Sequence, residues 1–201
     1  MILKSGKMGD TFLTIKSVSE GIFKDKGSKF LSFAFPVETV DEVKTIVQQK
    51  RTEFYDARHV CYAYMLGAER TTFRAVDDGE PSSTAGRPIL GQINSCQLTN
   101  VLVIVVRYFG GILLGTSGLI NAYKEAAAAA IENAQIEEKI VKSAIQVTFK
   151  YPQLNDIMRV VKEQDLEVSG QEFGFDENKM TLWVRNSQLN AVKEKIKQIL
   201  I

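Results

Sequence analysis

The feature that most constrains the fold is an unbroken apolar run, Val101 to Val106, that ends in Arg107. A run this short and this rich in β-branched residues predicts a strand buried on both faces of a sheet. It is far too short to cross a bilayer as a helix. We therefore expect a globular core to be built around this strand.

A glycine-rich loop and a helix follow the apolar run. Gly110 and Gly111 end the strand, and an apolar stripe around the alanine run 126–130 predicts a helix from about residue 118 to 133. Thr116 or Ser117 is the expected N-cap. Helix N-termini present unpaired N–H groups, so this junction is a candidate anion site. The alternative is that the glycines only permit a tight turn and that the arginine before them pairs with a carboxylate.

Charge and composition exclude several function classes. The 201 residues include 25 basic and 24 acidic side chains, which excludes a polybasic nucleic-acid coat or membrane binder but leaves room for a local basic patch. Residues 1–10 have no continuous apolar segment, so we expect no export signal, a cytoplasmic location and no membrane partner. Two isolated cysteines and a single histidine cannot form the usual zinc site. We assign no metal, no cofactor and no catalytic residue.

The remaining patterns alternate between strand and helix. Strands are expected across residues 11–37 with a turn at Gly27, followed by a helix over 40–50 capped by Thr39 and a hairpin over 59–76. Pro88 fits the first position of a further helix. After residue 135 the order is strand, helix, strand, strand, helix, which predicts a ferredoxin-like βαββα module. The fold class is therefore α+β, with one domain in residues 1–135 and a second in 136–201.

Two other groups of residues have chemistry that a function might use. Residues 77–84 concentrate carboxylates and hydroxyls, so Asp78 and Glu80 suit a cation or a general base, although the same residues are typical of turns. His59 and Cys61 share a strand face, which suits either a thiolate–imidazolium pair or ordinary packing. In the second module Trp183 and Arg185 lie on the sheet face opposite the core. They are positioned either to contact RNA or to pack against protein.

Three motifs in a fixed order go beyond these general patterns. They are DGEPSSTAG over residues 78–86, VRYFGG over 106–111, and LGTSGL over 114–119 with Ala122 and Tyr123 after it. Together they resemble the IMPACT family over about residues 15–130, and the C-terminal module is similar to the ferredoxin-like domain of its bacterial members. The resemblance implies a ribosomal-protein-S5 domain-2-like fold for the first domain. It also implies a non-enzymatic role in translational control with RNA, the ribosome or a translation-related protein as partner.

The chain departs from that family at four positions. Many members carry a basic residue where this chain has Leu113 and Asn121, and they usually carry glycine where it has Ser83 and Ser117. Losing two basic residues weakens the case for nucleic-acid binding, because phosphate contacts supply much of that affinity.

The residues expected to bind an anion or a nucleic acid come from the motifs and from nearby arginines. They are Arg58, His59, Arg74, Asp78, Glu80, Arg87, Arg107, Tyr108, Gly110, Gly111, Gly115, Thr116, Ser117 and Gly118. Two alternative functions stay open. One is a small-molecule enzyme or phosphorylated-ligand binder that joins Asp78, Glu80, His59 and Arg107 in a closed pocket. The other is a protein-interaction module centred on Trp183.

Overall fold

The structure is a computed structural model that describes residues 10–201. Apart from Asp10, the segment expected to lack an export signal lies outside the described residues. Contacts divide the chain into one unit over Phe12–Lys139 and another over Ile140–Ile201, to which Asp10 and Thr11 also belong. The assignment of residues 1–135 and 136–201 to separate domains stays a prediction.

The first unit is built on a five-stranded antiparallel sheet in the order β2-β3-β6-β4-β5. These strands are β2 (Ser19–Asp25), β3 (Ser28–Pro36), β4 (His59–Leu66), β5 (Thr72–Val76) and β6 (Val101–Tyr108). A separate pair joins β1 (Thr11–Ile15) to β7 (Ile136–Ile140), a strand that the sequence patterns did not predict.

The apolar run is the central strand β6, and each of its residues from Val101 to Val106 is completely buried. Alternate residues of β6 enter two different cores. Val101, Val103 and Val105 pack in the core that contains residues of α2 (Gly86–Ser95) and α3 (Gly115–Glu132). The residues between them pack in the core that contains residues of α1 (Val40–Glu53). The lack of polar alternation in β6 is thus explained by helices on both faces of the sheet.

Two of the three predicted helix starts in this unit are wrong. Thr39 does cap α1, because its side chain accepts a hydrogen bond from the Glu42 N–H. Helix α2 instead begins at Gly86, two residues before Pro88. Helix α3 begins at Gly115, ahead of the expected start, and no side chain caps it. Gly115 has φ +71, a left-handed conformation that turns the chain into the helix early and leaves Thr116 and Ser117 inside the first turn.

The second unit has the predicted βαββα order. It contains β8 (Lys142–Phe149), α4 (Leu154–Glu163), β9 (Glu167–Phe173), β10 (Asn178–Arg185) and α5 (Leu189–Leu200). The antiparallel strand order β8-β10-β9 is that of a ferredoxin-like sheet, and one side of it packs with the two helices around Met180, Leu182 and Val184. The predicted α+β fold class and the ferredoxin-like character of the second unit are confirmed, whereas the likeness of the first unit to domain 2 of ribosomal protein S5 stays a prediction. None of the helices in residues 10–201 has the length and apolar character needed to cross a membrane.

Candidate functional site

A cleft of about 420 Å³ opens in the first unit where β6 ends and α3 begins. The start of β4 and the acidic turn before α2 complete its walls, which are mainly apolar. The lining residues are Arg58, His59, Glu80, Pro81, Arg107, Phe109, Leu113, Leu114, Gly115, Thr116 and Leu119. The buried strand, the start of the alanine-rich helix and the acidic turn therefore meet at one place.

A buried ion pair forms one side of the cleft. Arg107 Nη1 donates to Glu80 Oε1 over 2.6 Å, and the Tyr123 hydroxyl donates to the same oxygen over 2.8 Å. The side chains of Arg107 and Glu80 are only 8 % and 3 % exposed. Burial raises the pKa of Tyr123, so its hydroxyl stays protonated and remains a donor. This pairing fulfils the simpler expectation for Arg107, that it binds a neighbouring carboxylate.

The guanidinium of Arg107 has donors that Glu80 does not use. Its Nε is buried and has no hydrogen-bond partner. The guanidinium carbon lies 5.6 Å from the ring centroid of Phe30 and 5.7 Å from that of Phe109, distances at which a cation is attracted to the ring. An unpaired buried donor costs free energy, so the hydrogen bonding of this guanidinium is incomplete within the protein itself.

His59, the first residue of β4, is held in one tautomer. Its Nδ1 lies 2.8 Å from the carbonyl oxygen of Asp78. A carbonyl oxygen only accepts hydrogen bonds, so Nδ1 must carry the proton. In the neutral imidazole Nε2 is then an acceptor, and it has no partner among the described residues. His59 therefore brings a hydrogen-bond acceptor to the cleft.

Asp78 supports this arrangement but does not line the cleft. Its Oδ1 accepts a hydrogen bond from Arg51 over 2.5 Å, and its Oδ2 accepts one from the Val60 N–H over 2.7 Å. Both oxygens are thus used to fix the turn against α1 and β4. The residue positions His59 through its backbone carbonyl.

Asp77 is fully used in the start of α2. One carboxylate oxygen accepts from the N–H groups of Ala85 and Gly86 over 3.0 and 2.8 Å, and the other accepts from Ser83 N–H over 2.8 Å. Partial burial raises the pKa of this carboxyl, but the three backbone hydrogen bonds outweigh burial and hold the pKa below its usual value. Asp77 therefore joins the turn before α2 to the start of that helix.

The start of α3 has no such carboxylate. Its N-cap is Leu114, no side chain caps it, and its first turn contains no acidic residue. Gly115 and Thr116 at its beginning line the cleft. The partial positive charge of this N-terminus therefore acts on the cleft.

The geometry does not favour metal or thiol chemistry at this site. Cys61 is completely buried, its Sγ lies 2.9 Å from the Asp77 carbonyl oxygen, and burial raises the pKa of its thiol well above the usual range. The thiolate–imidazolium interpretation is therefore wrong. Within residues 10–201, no group of three histidine, cysteine or acidic side chains is arranged to hold a metal ion.

The cleft brings together six of the predicted binding residues, namely Arg58, His59, Glu80, Arg107, Gly115 and Thr116. The others have different surroundings. Tyr108 donates to Asp56, and Arg74 and Arg87 are exposed on β5 and α2 away from the cleft lining. Gly110 has a steric role, because a Cβ there would lie 1.9 Å from the carbonyl carbon of Gly27.

Three further predicted residues of the glycine-rich loop and helix start lie outside the cleft lining. They are Gly111 with φ +88, and Ser117 and Gly118 in the first turns of α3, none of which lines the cleft. Sequence reasoning missed the apolar wall made by Pro81, Phe109, Leu113, Leu114 and Leu119. It also missed Tyr123 as a partner of Glu80. The sequence signal that could have revealed this wall is the presence of apolar residues in a glycine-rich loop. In the structure two of them, Phe109 and Leu113, are 51 % and 82 % exposed.

Trp183 of the second unit lies on the open face of its own sheet, as predicted. It is 37 % exposed, whereas Leu182 and Val184 on either side of it are completely buried. Arg185 and Lys142 lie with it around a small pocket. Binding of RNA or a protein to this face stays a prediction.

Comparison with known proteins identifies a family model, several relatives and a solved structure that match this chain. The family model for the Impact N-terminal domain matches residues 26–131. YigZ of Escherichia coli, an IMPACT family member, is 33% identical over 150 residues, which cover 74% of this chain and 74% of the relative. The IMPACT family member YvyE of Bacillus subtilis is 29% identical over 185 residues, covering 92% and 84%. A crystal structure described as that of a hypothetical protein is 26% identical, with a TM-score of 0.74 over 94% of this chain and 93% of that one.

Proposed function

Since this chain belongs to the IMPACT family, we propose that it regulates translation in the cytoplasm, as a non-enzymatic protein that binds RNA, including ribosomal RNA, at the cleft. The observation that carries the proposal is the cleft lining, where the exposed Arg58 has no acidic partner among the ion pairs of the described residues and the start of α3 has no side-chain cap. The cleft is thus built for a group that accepts hydrogen bonds and carries negative charge.

The charges around the cleft support a phosphate as that group. Arg107 is balanced by Glu80, while Arg58 is exposed on the cleft lining and has no acidic partner among the ion pairs of the described residues. The side chains therefore leave about one net positive charge, to which the helix N-terminus adds its partial charge. One phosphodiester carries one negative charge and matches this surplus.

Replacement of Arg58 tests the proposal without disturbing the core. Arg107→Ala is unsuitable, because it would leave the Glu80 carboxylate buried without its partner. We expect Arg58→Ala to weaken binding to single-stranded RNA about tenfold at low salt and to reduce the salt dependence by about one phosphate contact. The measurement is fluorescence anisotropy with a labelled oligouridine over a series of salt concentrations.

Two exposed arginines of the same unit provide matched controls. Arg74 and Arg87 are exposed but do not line the cleft, so Arg74→Ala and Arg87→Ala should leave the affinity within about twofold of the parent. Equal losses in all three variants would indicate a diffuse basic surface instead of a site. An affinity indifferent to salt would also contradict the proposal.

The enclosed, apolar walls of the cleft favour one second candidate, a small phosphorylated molecule. His59, Glu80 and Arg107 would contact it, while Asp78 is already used by Arg51 and Val60. A competition experiment between nucleoside monophosphates and the labelled oligouridine distinguishes a small phosphorylated ligand from RNA. If nucleoside monophosphates bind as tightly as an oligouridine and the oligomer length has no effect, the small molecule is the ligand.

A further inference from the structure

The size and lining of the cleft restrict which part of an RNA it can receive. A volume of about 420 Å³ lies within the range of about 300–1,000 Å³ that is typical of small-molecule pockets. Such a volume accommodates a nucleotide-sized group, whereas a duplex is far wider. Phe109 and Leu113 offer exposed apolar surface at the cleft, which suits the face of an unstacked base.

The polar groups of the cleft require two different kinds of partner on a ligand, hydrogen-bond acceptors and a hydrogen-bond donor. Arg58, Arg107 and the N–H groups at the start of α3 are donors, and they suit one phosphate. The Arg107 side chain is more than nine-tenths buried and its Nε has no partner, so the hydrogen bonding of this guanidinium is incomplete within the protein itself. His59 Nε2 is instead an acceptor, because Nδ1 uses its proton on the Asp78 carbonyl.

A ligand that satisfies both sets must carry an anion and, beside it, a hydroxyl or N–H donor. A ribonucleotide has both, because its 2′ hydroxyl is a donor next to the phosphodiester, and DNA lacks that hydroxyl. Glu80 is less suited to this contact, because its Oε1 already accepts from Arg107 and Tyr123. His59 is the residue whose free acceptor a 2′ hydroxyl would complete.

We propose that the cleft receives one unstacked nucleotide of single-stranded RNA and that His59 Nε2 accepts a hydrogen bond from its 2′ hydroxyl. This inference rests on the proposed function, since it concerns the same site. It makes His59 the residue that distinguishes RNA from DNA. The shape of the cleft accounts for selection of single strands over duplexes.

The test compares a labelled oligouridine with the oligodeoxyuridine of the same length, on the parent protein and on His59→Phe. The phenyl ring keeps the aromatic character of the imidazole but lacks both the Nε2 acceptor and the Nδ1 donor to the Asp78 carbonyl. We expect the parent to bind the RNA about five- to tenfold more tightly than the DNA, as for one hydrogen bond. His59→Phe should lose this preference, so that it binds the RNA and the DNA with equal affinity.

A ligand variant keeps the test decisive if His59→Phe does not fold. An oligouridine with 2′-fluoro groups carries no 2′ donor, so the parent protein should bind it as weakly as it binds the DNA. Replacing the oligouridine by an RNA duplex of the same length should weaken binding about tenfold or more.

The outcomes separate this inference from the proposed function. If RNA, DNA and 2′-fluoro oligomers bind equally and depend on Arg58, the protein binds nucleic acid there but His59 does not read the ribose. If duplex and single strand bind equally, the single-nucleotide geometry is wrong. If no oligonucleotide binds, the proposed function itself falls.

Discussion

Helices α2 and α3 begin in similar ways but complete their N-termini differently. Each follows a strand and a turn rich in glycine or serine, and each presents backbone N–H groups at its start. At α2 the protein's own Asp77 accepts hydrogen bonds from two of these groups, the N–H groups of Ala85 and Gly86, and from the N–H of Ser83 in the preceding turn. At α3 no side chain caps the helix and the cleft lies beside its first residues.

The difference shows which of the two ends is available to a ligand. A carboxylate at a helix N-terminus satisfies its N–H groups and its partial positive charge, so α2 has little left to offer an anion. At α3 no side chain caps the N–H groups of the first turn, and Arg107, which also lines the cleft, has an unpaired donor. We therefore expect the Asp77 turn to contribute to stability and the α3 junction to contribute to ligand binding.

Removing the Asp77 carboxylate should have the largest effect on this comparison. Three backbone donors would lose their acceptor, so we expect Asp77→Ala to lower the free energy of unfolding by about 2–4 kcal/mol. Urea unfolding monitored by circular dichroism measures this change. RNA binding by the folded fraction should stay at the parent level, since Asp77 does not line the cleft. Reduced RNA binding by folded Asp77→Ala would break the separation of the two roles.

Acid should reveal the same carboxylate. The pKa of Asp77 is lower in the folded protein than its usual value of 3.8, so its stabilisation is present above that value and is lost as the pH falls through the folded pKa. We expect the stability difference between the parent and Asp77→Asn, which keeps one oxygen acceptor, to be constant near neutral pH and to shrink below about pH 4. A difference that grows in acid would show that Asp77 is not held as a carboxylate.

Placing a carboxylate at α3 should make this helix resemble α2. Thr116 is exposed in its first turn and lines the cleft. An aspartate there interacts favourably with the helix N-terminus by about 0.3–1 kcal/mol, while it repels a phosphate. We therefore expect Thr116→Asp to retain or slightly raise the unfolding midpoint and to weaken RNA binding about tenfold at low salt.

Thr116→Asn is the matched control for this variant, because it has the same shape without the charge. It should bind RNA within about twofold of the parent. If both variants lose affinity to the same extent, the hydroxyl of Thr116 and not the charge of the site is responsible.

The elements that local patterns specify were predictable. The apolar run became the central strand, Thr39 caps α1, and the second unit has the predicted order of strands and helices. Each of these depends on neighbours within a few residues, where periodicity and capping chemistry are informative. The start of α3 was not predictable in this way, because it depends on the left-handed conformation of Gly115 and not on a capping side chain.

The site was predictable only where its residues belong to the three motifs. Glu80 and Arg107 meet, as the alternative of a small-molecule site expected, whereas the carboxylate of Asp78 binds Arg51, a residue of α1 that no pattern had singled out. Tertiary contacts of this kind have no local signature. The apolar wall escaped notice because leucine and phenylalanine in a sequence are ordinarily read as core.

The smallest predicted effects concern Ser83 and Ser117, the two serines near the starts of α2 and α3. Ser83 lies in the Asp77 turn with φ +66, a left-handed conformation that disfavours a residue with a Cβ. Ser83→Gly should therefore raise the free energy of unfolding by about 0.5–1 kcal/mol, since Asp77 still accepts from the same N–H.

Ser117 lies in the first turn of α3, and its backbone φ is not positive. Glycine has the lower helix propensity, so Ser117→Gly should reduce stability by about 0.5 kcal/mol. The same substitution thus has opposite signs at the two helix starts, and paired urea titrations of the two variants against the parent resolve it. Changes of the same sign would mean that backbone conformation does not govern these positions, and the contrast between a capped and an open helix start would then rest on Asp77 and Thr116 alone.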